Sequence, residues 1–315
     1  MIWSSDSIPN QTGRIAFITG ANSGLGFDTA KALLQKDSTV ILGCRSIEKA
    51  EIAKKKLLDE VNYGKIELLK IDLSDLTEVN RAGDEILTNY QKLDIIINNA
   101  GVMAPPRRCS KQGYEIQFAV NHLSHMALTL KLLPLLAATP RARAVTVSSG
   151  AQYMGKIMWN DIQGEKDYDR WRSYSQSKLA NIMFSLELDK RLKESNIGVA
   201  SLSAHPGLAR TNLQPTSIAA NKSWQEAIAY KLMTPMFQSS SMGALPQLCA
   251  ATDPNAKSGE QYGPRFNFRG YPKLCPAAKL ALENQDRIRL WLMSEELIGD
   301  LVDINHAKKI FKQIQ

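Results

Sequence analysis

Tyr174 and Lys178 stand four residues apart in Tyr174-Ser-Gln-Ser-Lys178, the spacing that brings two side chains onto one face of a helix. A phenol beside an ammonium is an acid/base couple. An unperturbed phenol titrates near about 10, and proton transfer is most efficient when the catalytic group titrates near the working pH. A unit charge about 4 Å away is worth about 4 kcal/mol at an effective dielectric of 20, and each pKa unit corresponds to about 1.36 kcal/mol. The lysine is therefore expected to lower the phenol by roughly three units. Alone, the pair is also an ordinary pair of helical neighbours. Its context is a Ser148-Ser149 pair and the glycine-rich stretch Thr19-Gly20-Ala21-Asn22-Ser23-Gly24-Leu25-Gly26. Hydroxyls that can meet a reacting oxygen, together with a cradle for phosphate, imply hydride chemistry.

These residues need elements to hold them. Residues 14–19 read as a short buried strand that runs into Gly20, Gly24 and Gly26, and Leu25, Ala30, Leu33 and Leu34 then fit one helix face. The polar run Gln35-Lys36-Asp37-Ser38 ends that helix before a second apolar strand at 39–43, which completes a βαβ unit. Glycines in such a turn let the backbone approach a pyrophosphate resting on the helix N-terminus, where unpaired N–H groups and the dipole favour an anion. The spacing Gly-x-x-x-Gly-x-Gly departs from the usual Gly-x-Gly-x-x-Gly, and a tight turn alone would use the same glycines. Further strands are expected at 66–71, 93–97, 144–148 and 198–204, with a last one near 261–268. Near-continuous apolar strands with helical crossovers predict an α/β fold, a doubly wound parallel sheet of Rossmann type in the order 3-2-1-4-5-6.

With those motifs in place, the chain resembles the short-chain dehydrogenase/reductase family, which uses the same glycine spacing with a Tyr-x-x-x-Lys pair. The resemblance extends to Asp72-Leu73, Asn98-Asn99-Ala100-Gly101, Asn121, Ser149 and His205-Pro206-Gly207 with Thr211. It implies that Tyr174 exchanges the substrate proton, that Ser149 hydrogen-bonds the carbonyl oxygen, and that Lys178 lowers the tyrosine while holding the ribose. Asn121 would anchor a water next to Lys178. On the cofactor side, Gly20, Asn22, Ser23, Gly24, Leu25 and Gly26 would cradle the phosphates. Asp72 and Leu73 would flank the adenine, Asn99, Ala100 and Gly101 would line the ribose side, and Pro206, Gly207 and Thr211 would lie toward the nicotinamide. Asp72 could instead be a helix N-cap, Asn98-Asn99 a turn ending a strand, and Ser148 is a rival for Ser149.

Tyr174-Ser-Gln-Ser-Lys178-Leu-Ala-Asn181, Arg269-Gly-Tyr-Pro272 and Leu290-Trp-Leu-Met-Ser-Glu295 are similar to the branch containing retinol dehydrogenases. Light-dependent protochlorophyllide reductases are a neighbouring group, but they typically carry a cysteine where this chain has Ala180 and a threonine at the active serine. A dinucleotide-binding sensor or scaffold is the reading from another class, and loss of Tyr, Lys or Ser would favour it; all three are present. The expected cofactor is NADP(H). A dehydrogenase choosing NAD places an acidic residue after the second strand, whereas Cys44-Arg45 stands there. Arg45 can pair with a 2′-phosphate through its fork of donors, with no basic residue in the glycine turn to reinforce it.

The 315 residues read as one domain: a dinucleotide-binding and catalytic core at 14–204, a substrate-side region at 205–275 and a C-terminal helical tail at 276–315. After Thr211, the residues Trp224, Ile228, Tyr230, Leu232, Met233, Met236 and Phe237 recur among polar ones. That stretch follows the sixth strand, beyond whose end the ligand of such a sheet lies, so it is expected to form an apolar wall or lid. A bulky apolar carbonyl or alcohol of retinoid, steroid, lipid-aldehyde or polycyclic type is the expected substrate. The net charge of +8 is scattered over Lys54-Lys55-Lys56, Arg107-Arg108, Arg141 and Arg143 without a nucleic-acid motif, which argues against that partner. No apolar run spans a bilayer, since Lys131 and Pro134 interrupt the longest one. Four scattered cysteines suit reduced thiols of a cytoplasmic protein, His122 and His125 suit packing rather than metal binding, no metal is expected, and a homo-oligomer remains open.

Overall fold

The computed structural model describes residues 2–61, 64–211 and 213–312. Eight strands form one sheet: β1 (Ile15–Thr19), β2 (Thr39–Cys44), β3 (Lys65–Lys70), β4 (Ile95–Asn98), β5 (Arg143–Val147), β6 (Ala200–Ala204), β7 (Gln261–Pro264) and β8 (Pro272–Leu274). Their order is β3-β2-β1-β4-β5-β6-β7-β8. Every pairing through β7 is parallel, and only β8 runs back antiparallel. The expected doubly wound order is thus present, with two strands added at its far edge.

The connecting helices are α1 (Gly24–Leu34), α2 (Ile47–Val61), α3 (Leu76–Asn89), α4 (Ile116–Phe118), α5 (Ser124–Lys131), α6 (Leu133–Ala137), α7 (Arg170–Glu194), α8 (Leu213–Asn221), α9 (Trp224–Met233), α10 (Ser240–Thr252), α11 (Asn284–Ile298) and α12 (Asn305–Lys312). A π-type turn over Ala119–Leu123 joins α4 to α5. Because strand side chains alternate between faces, the apolar strands feed two cores. Phe17, Ile41 and Ile96 pack with residues of α3, α5 and α7 on one face. Ala16, Ile18, Val40 and Leu42 pack with α1, α2 and α10 on the other. A third cluster joins Leu179, Ile182 and Met183 of α7 to Leu290 of α11, so the helix carrying Tyr174 and Lys178 is held from two sides.

The expected single strand at 261–268 is corrected. β7 ends at Pro264, and the chain turns through Asn267 (φ 63°) and Gly270 (φ 109°) before returning as β8. The left-handed region needed for such a turn is open to glycine and tolerated by asparagine, a tertiary choice that an apolar run does not announce. Among the described residues, no helix is long and apolar enough to cross a membrane and no His/Cys/Asp/Glu cluster could hold a metal. All four cysteines are free.

Candidate active site

The order of the sheet reverses between β1 and β4, and there the loops at the carboxyl ends of the strands part to leave a groove. Three adjoining cavities make it up, of about 310, 630 and 780 Å³. Arg45, Asp72 and Leu73 line the first, the glycine turn with Thr211 the second, and Ser149, Tyr174 and Lys178 the third. Gly101 faces all three.

The turn after β1 is built for close approach. Gly24 has φ +56°, a conformation glycine adopts without strain. A Cβ on Gly26 would fall 2.5 Å from the Gly20 carbonyl oxygen and 2.7 Å from Asn99 Nδ2, so any side chain there would break the turn. Ser23, the residue before α1, is extended and caps none of the helix N–H groups with its side chain. Those donors and the positive end of the dipole are left to face an anion in the groove. Behind the turn, Asn99 Nδ2 donates to the Thr19 carbonyl at 2.8 Å, and the Thr19 hydroxyl accepts from the Asn99 and Ala100 N–H groups at 3.0 Å each. Bare backbone donors and closely packed glycines form a donor set that suits a dinucleotide pyrophosphate, and Arg45 lines the same groove.

At the catalytic end the two serines differ. Ser148 is buried and its hydroxyl donates to the Lys178 carbonyl at 2.7 Å, a structural duty. Ser149 lines the large cavity beside Tyr174 and accepts from Ala151 N–H at 3.3 Å. Tyr174 is 6% exposed. Burial pushes its phenol above the ordinary value, and the neighbouring Ser149 hydroxyl pulls it part of the way back. The expected lowering by Lys178 is not what sets this phenol. The ammonium lies 5.8 Å from the ring centroid, and burial weakens its own charge by bringing Lys178 down to about 8. Desolvation here outweighs the through-space attraction.

Asn121 is the exception among the expected site residues, since it is fully buried and lines none of the three cavities. Its side chain accepts from Val102 N–H at 2.8 Å and donates to the Val102 carbonyl at 3.0 Å and to Ser177 Oγ at 2.9 Å. The carboxamide is therefore occupied, and the Asn121 main-chain carbonyl sits in the π-type turn. His125 Nδ1 donates to that carbonyl at 3.1 Å, which leaves Nε2 to accept from the Thr19 hydroxyl at 2.9 Å. Burial first, then the Lys178 charge, pulls His125 down to about 4, so this link stays neutral. Sequence reasoning read His125 as packing; its position four residues after Asn121 was the available signal. Asp72 is not the cap of α3 either: its carboxylate accepts from Ser74 N–H at 2.9 Å, and Asp75 caps the helix.

The short chain dehydrogenase family model matches residues 14–222, which holds the glycine turn, the serine pair and the Tyr-x-x-x-Lys helix. The chain belongs to the short-chain dehydrogenase family. Retinol dehydrogenase 12 of Mus musculus is 35% identical over 289 residues, covering 91% of this chain and 87% of that protein. A short-chain dehydrogenase/reductase of Armillaria gallica is 42% identical over 263 residues, 81% of each chain. A crystal structure of an uncharacterized protein from Mycobacterium paratuberculosis superposes with a TM-score of 0.79 at 35% identity, covering 95% of this chain and 98% of the other. A Shigella flexneri short chain dehydrogenase complexed with NADP shares the fold, with a TM-score of 0.61 at 21% identity over 81% of this chain and 98% of that one. The protein is thus a retinol-dehydrogenase-like oxidoreductase of carbonyl and alcohol groups, in a family that binds nicotinamide dinucleotides.

In this short-chain dehydrogenase the stretch after Thr211 divides. Ile218, Tyr230, Met233 and Phe237 line the large cavity, whereas Trp224, Ile228 and Leu232 follow one another along the opposite face of α9 and point outward. Sequence composition gave no means of separating the two faces, because both are apolar. Asn221 and Ser217 of α8 donate to the Ala104 carbonyl at 2.9 and 3.1 Å, and Glu226 of α9 pairs with Arg170 at the start of α7. Met103, Tyr153, Trp171 and Phe268 also line the cavity and were not anticipated. Met103 and Phe268 lie in loops, Tyr153 in the short 3-10 helix Gly150–Met154 and Trp171 in the first turn of α7, where apolar spacing carries no signal.

Proposed function

We propose that the protein is an NADP(H)-dependent reductase or dehydrogenase of a bulky apolar carbonyl or alcohol. The observation that carries this reading is the meeting of the Tyr174 and Ser149 hydroxyls at the wall of a cavity of about 780 Å³ whose other walls are Met103, Leu208, Ile218, Tyr230, Met233 and Phe237. Bound in the groove, the nicotinamide would supply the hydride. Ser149 orients the substrate oxygen and stabilises its developing negative charge. Tyr174, kept protonated at neutral pH by burial, holds the proton that the oxygen takes on reduction. Lys178 supplies a cation at the junction of ribose and active site: a side chain at 101 would lie 3.4 Å from its Nζ. The apolar walls exclude water and reward apolar bulk. The names of the mammalian relatives, retinol dehydrogenases, support a substrate of that size and polarity.

NADP(H) is favoured over NAD(H) because Arg45 faces the groove after β2, with no carboxylate at that place to receive a ribose 2′-hydroxyl. Turnover with NADPH and with NADH across a panel from glyceraldehyde to retinal tests the reading, alongside cofactor titrations. The expected result is NADPH-dependent reduction of the large apolar members. Equal affinities for both cofactors, unchanged by Arg45→Ala, would remove the NADP(H) assignment, and a preference for small hydrophilic carbonyls would remove the apolar substrate.

A further inference from the structure

The groove holds two uncommitted guanidinium groups, and the NADP(H) reading uses one of them. Arg45 follows β2, and Arg108 lies in the loop between β4 and α4, yet both line the same two cavities, the one walled by Asp72 and Leu73 and the one beside the glycine turn. Both are exposed, and neither side chain has a hydrogen bond or ion pair among the described residues. Their charged neighbours are otherwise engaged. Arg107, which also lines the cavity beside the glycine turn, has its guanidinium tied to the Gly164 carbonyl at 2.8 Å. Lys111 pairs with Asp75 at 2.8 Å. Asp72, the acid of that cavity, turns its carboxylate onto Ser74 N–H and Oγ at 2.9 and 2.6 Å and pairs with neither arginine.

Two free monocations facing one cavity repel each other until an anion joins them. A ribose 2′-hydroxyl brings no charge to that place, whereas a phosphate monoester carries about −1.5 to −2 at pH 7 and presents oxygens to two guanidinium forks at once. The glycine turn offers Arg45 no basic helper, and the loop after β4 supplies one from the other wall of the groove. We propose that Arg108 is a specificity-determining residue: with Arg45 it forms a two-arginine clamp for the 2′-phosphate of the dinucleotide. This rests on the NADP(H) reading and adds a second, separately testable arm to it.

Fluorescence titrations of NADPH, NADH, adenosine 2′,5′-bisphosphate and 5′-AMP against the parent, Arg108→Ala and Arg108→Lys test the clamp without relying on turnover. Urea unfolding of each variant confirms that an exposed substitution leaves the fold intact. Arg108→Ala is expected to weaken NADPH and the bisphosphate about tenfold, the scale of one charge-assisted contact, and to move NADH and 5′-AMP less than about twofold. Arg108→Lys should recover part of the loss, and the NADPH affinity of the parent should fall more steeply with salt than that of Arg108→Ala. A similar loss on all four ligands would assign Arg108 to packing on the adenine and overturn the clamp, as would no loss on any. A parent that does not discriminate NADPH from NADH defeats the underlying cofactor reading. A preference that survives Arg108→Ala undiminished defeats this inference alone.

Discussion

Tyr174→Phe keeps the ring and removes the hydroxyl, so turnover is expected to fall at least about 100-fold, the lower end of general acid–base contributions, while NADPH affinity stays within a few-fold. Steady-state rates on a carbonyl the parent reduces, paired with cofactor titration, decide it; near-parental rates would dismiss Tyr174 as the proton carrier. Lys178 makes a different prediction. Burial lowers it to about 8 in the folded protein, against an ordinary lysine value of about 10.4. Between those values the unfolded chain holds the proton and the folded chain does not, so this group makes the protein more stable as pH rises from about 8 to about 10 and contributes a constant amount outside that window. Urea unfolding of the parent and of Lys178→Met at pH 7.5 and 10 should show the parent gaining about 2–3 kcal/mol relative to the variant. A constant difference between the two would mean that the ammonium is solvated in the folded state.

Between element and groove the glycine turn is the least forgiving part. Alanine is ordinarily the better helix former by about 1 kcal/mol, and Gly26 lies inside α1, so propensity alone favours Gly26→Ala. The new methyl, however, would meet the Gly20 carbonyl at 2.5 Å and Asn99 Nδ2 at 2.7 Å, both part of the packed turn. Sterics should win: the variant is expected to bind NADPH at least about tenfold more weakly and to unfold at a lower temperature, through strain of the kind that costs about 1–3 kcal/mol. Calorimetry and titration of the same sample check both, and parental affinity would show that the turn can open. The lid is the more adaptable element. No residue of α9 is buried, and α8 and α9 are tied down mainly by bonds to the Ala104 carbonyl and by the half-buried Arg170–Glu226 pair. Few buried contacts are the condition under which a segment opens locally without unfolding the rest.

At the scale of the whole molecule, a two-faced sheet holds a groove whose one end is lined by the glycine turn and Arg45 and whose other end is walled by apolar side chains, the proposed cofactor and substrate ends. The apolar end sets a quantitative expectation. Across aldehydes of increasing chain length and ring count, each added methylene that is buried should contribute about 0.8 kcal/mol to kcat/KM, roughly a fourfold step, until the cavity of about 780 Å³ is filled. Specificity constants for straight-chain aldehydes from four carbons upward would show the slope and the plateau. A flat series would return the walls of the cavity to structural packing.

The sequence alone was enough for the sheet order through β6, because apolar runs broken at regular intervals by helical spacing admit few topologies, and enough to point to the glycine turn, whose spacing has a local cause. Every site residue it named except Asn121 lines the groove, since turn glycines and the Tyr-x-x-x-Lys helix announce themselves over short distances. Tertiary structure decided the rest. Both serines line the cavity, and which hydroxyl stays available depends on which one the Lys178 carbonyl claims, here Ser148; Asn121 is closed off by Val102, which lies nineteen positions away in the chain. The phenol of Tyr174 is set by burial more than by the lysine four residues on, because desolvation sums over everything packed around a group and sequence spacing reports only one neighbour. The joining of Arg45 and Arg108 in one groove, and of Thr19, His125 and Asn121 in one hydrogen-bonded chain, comes from strands that meet only when the sheet is assembled.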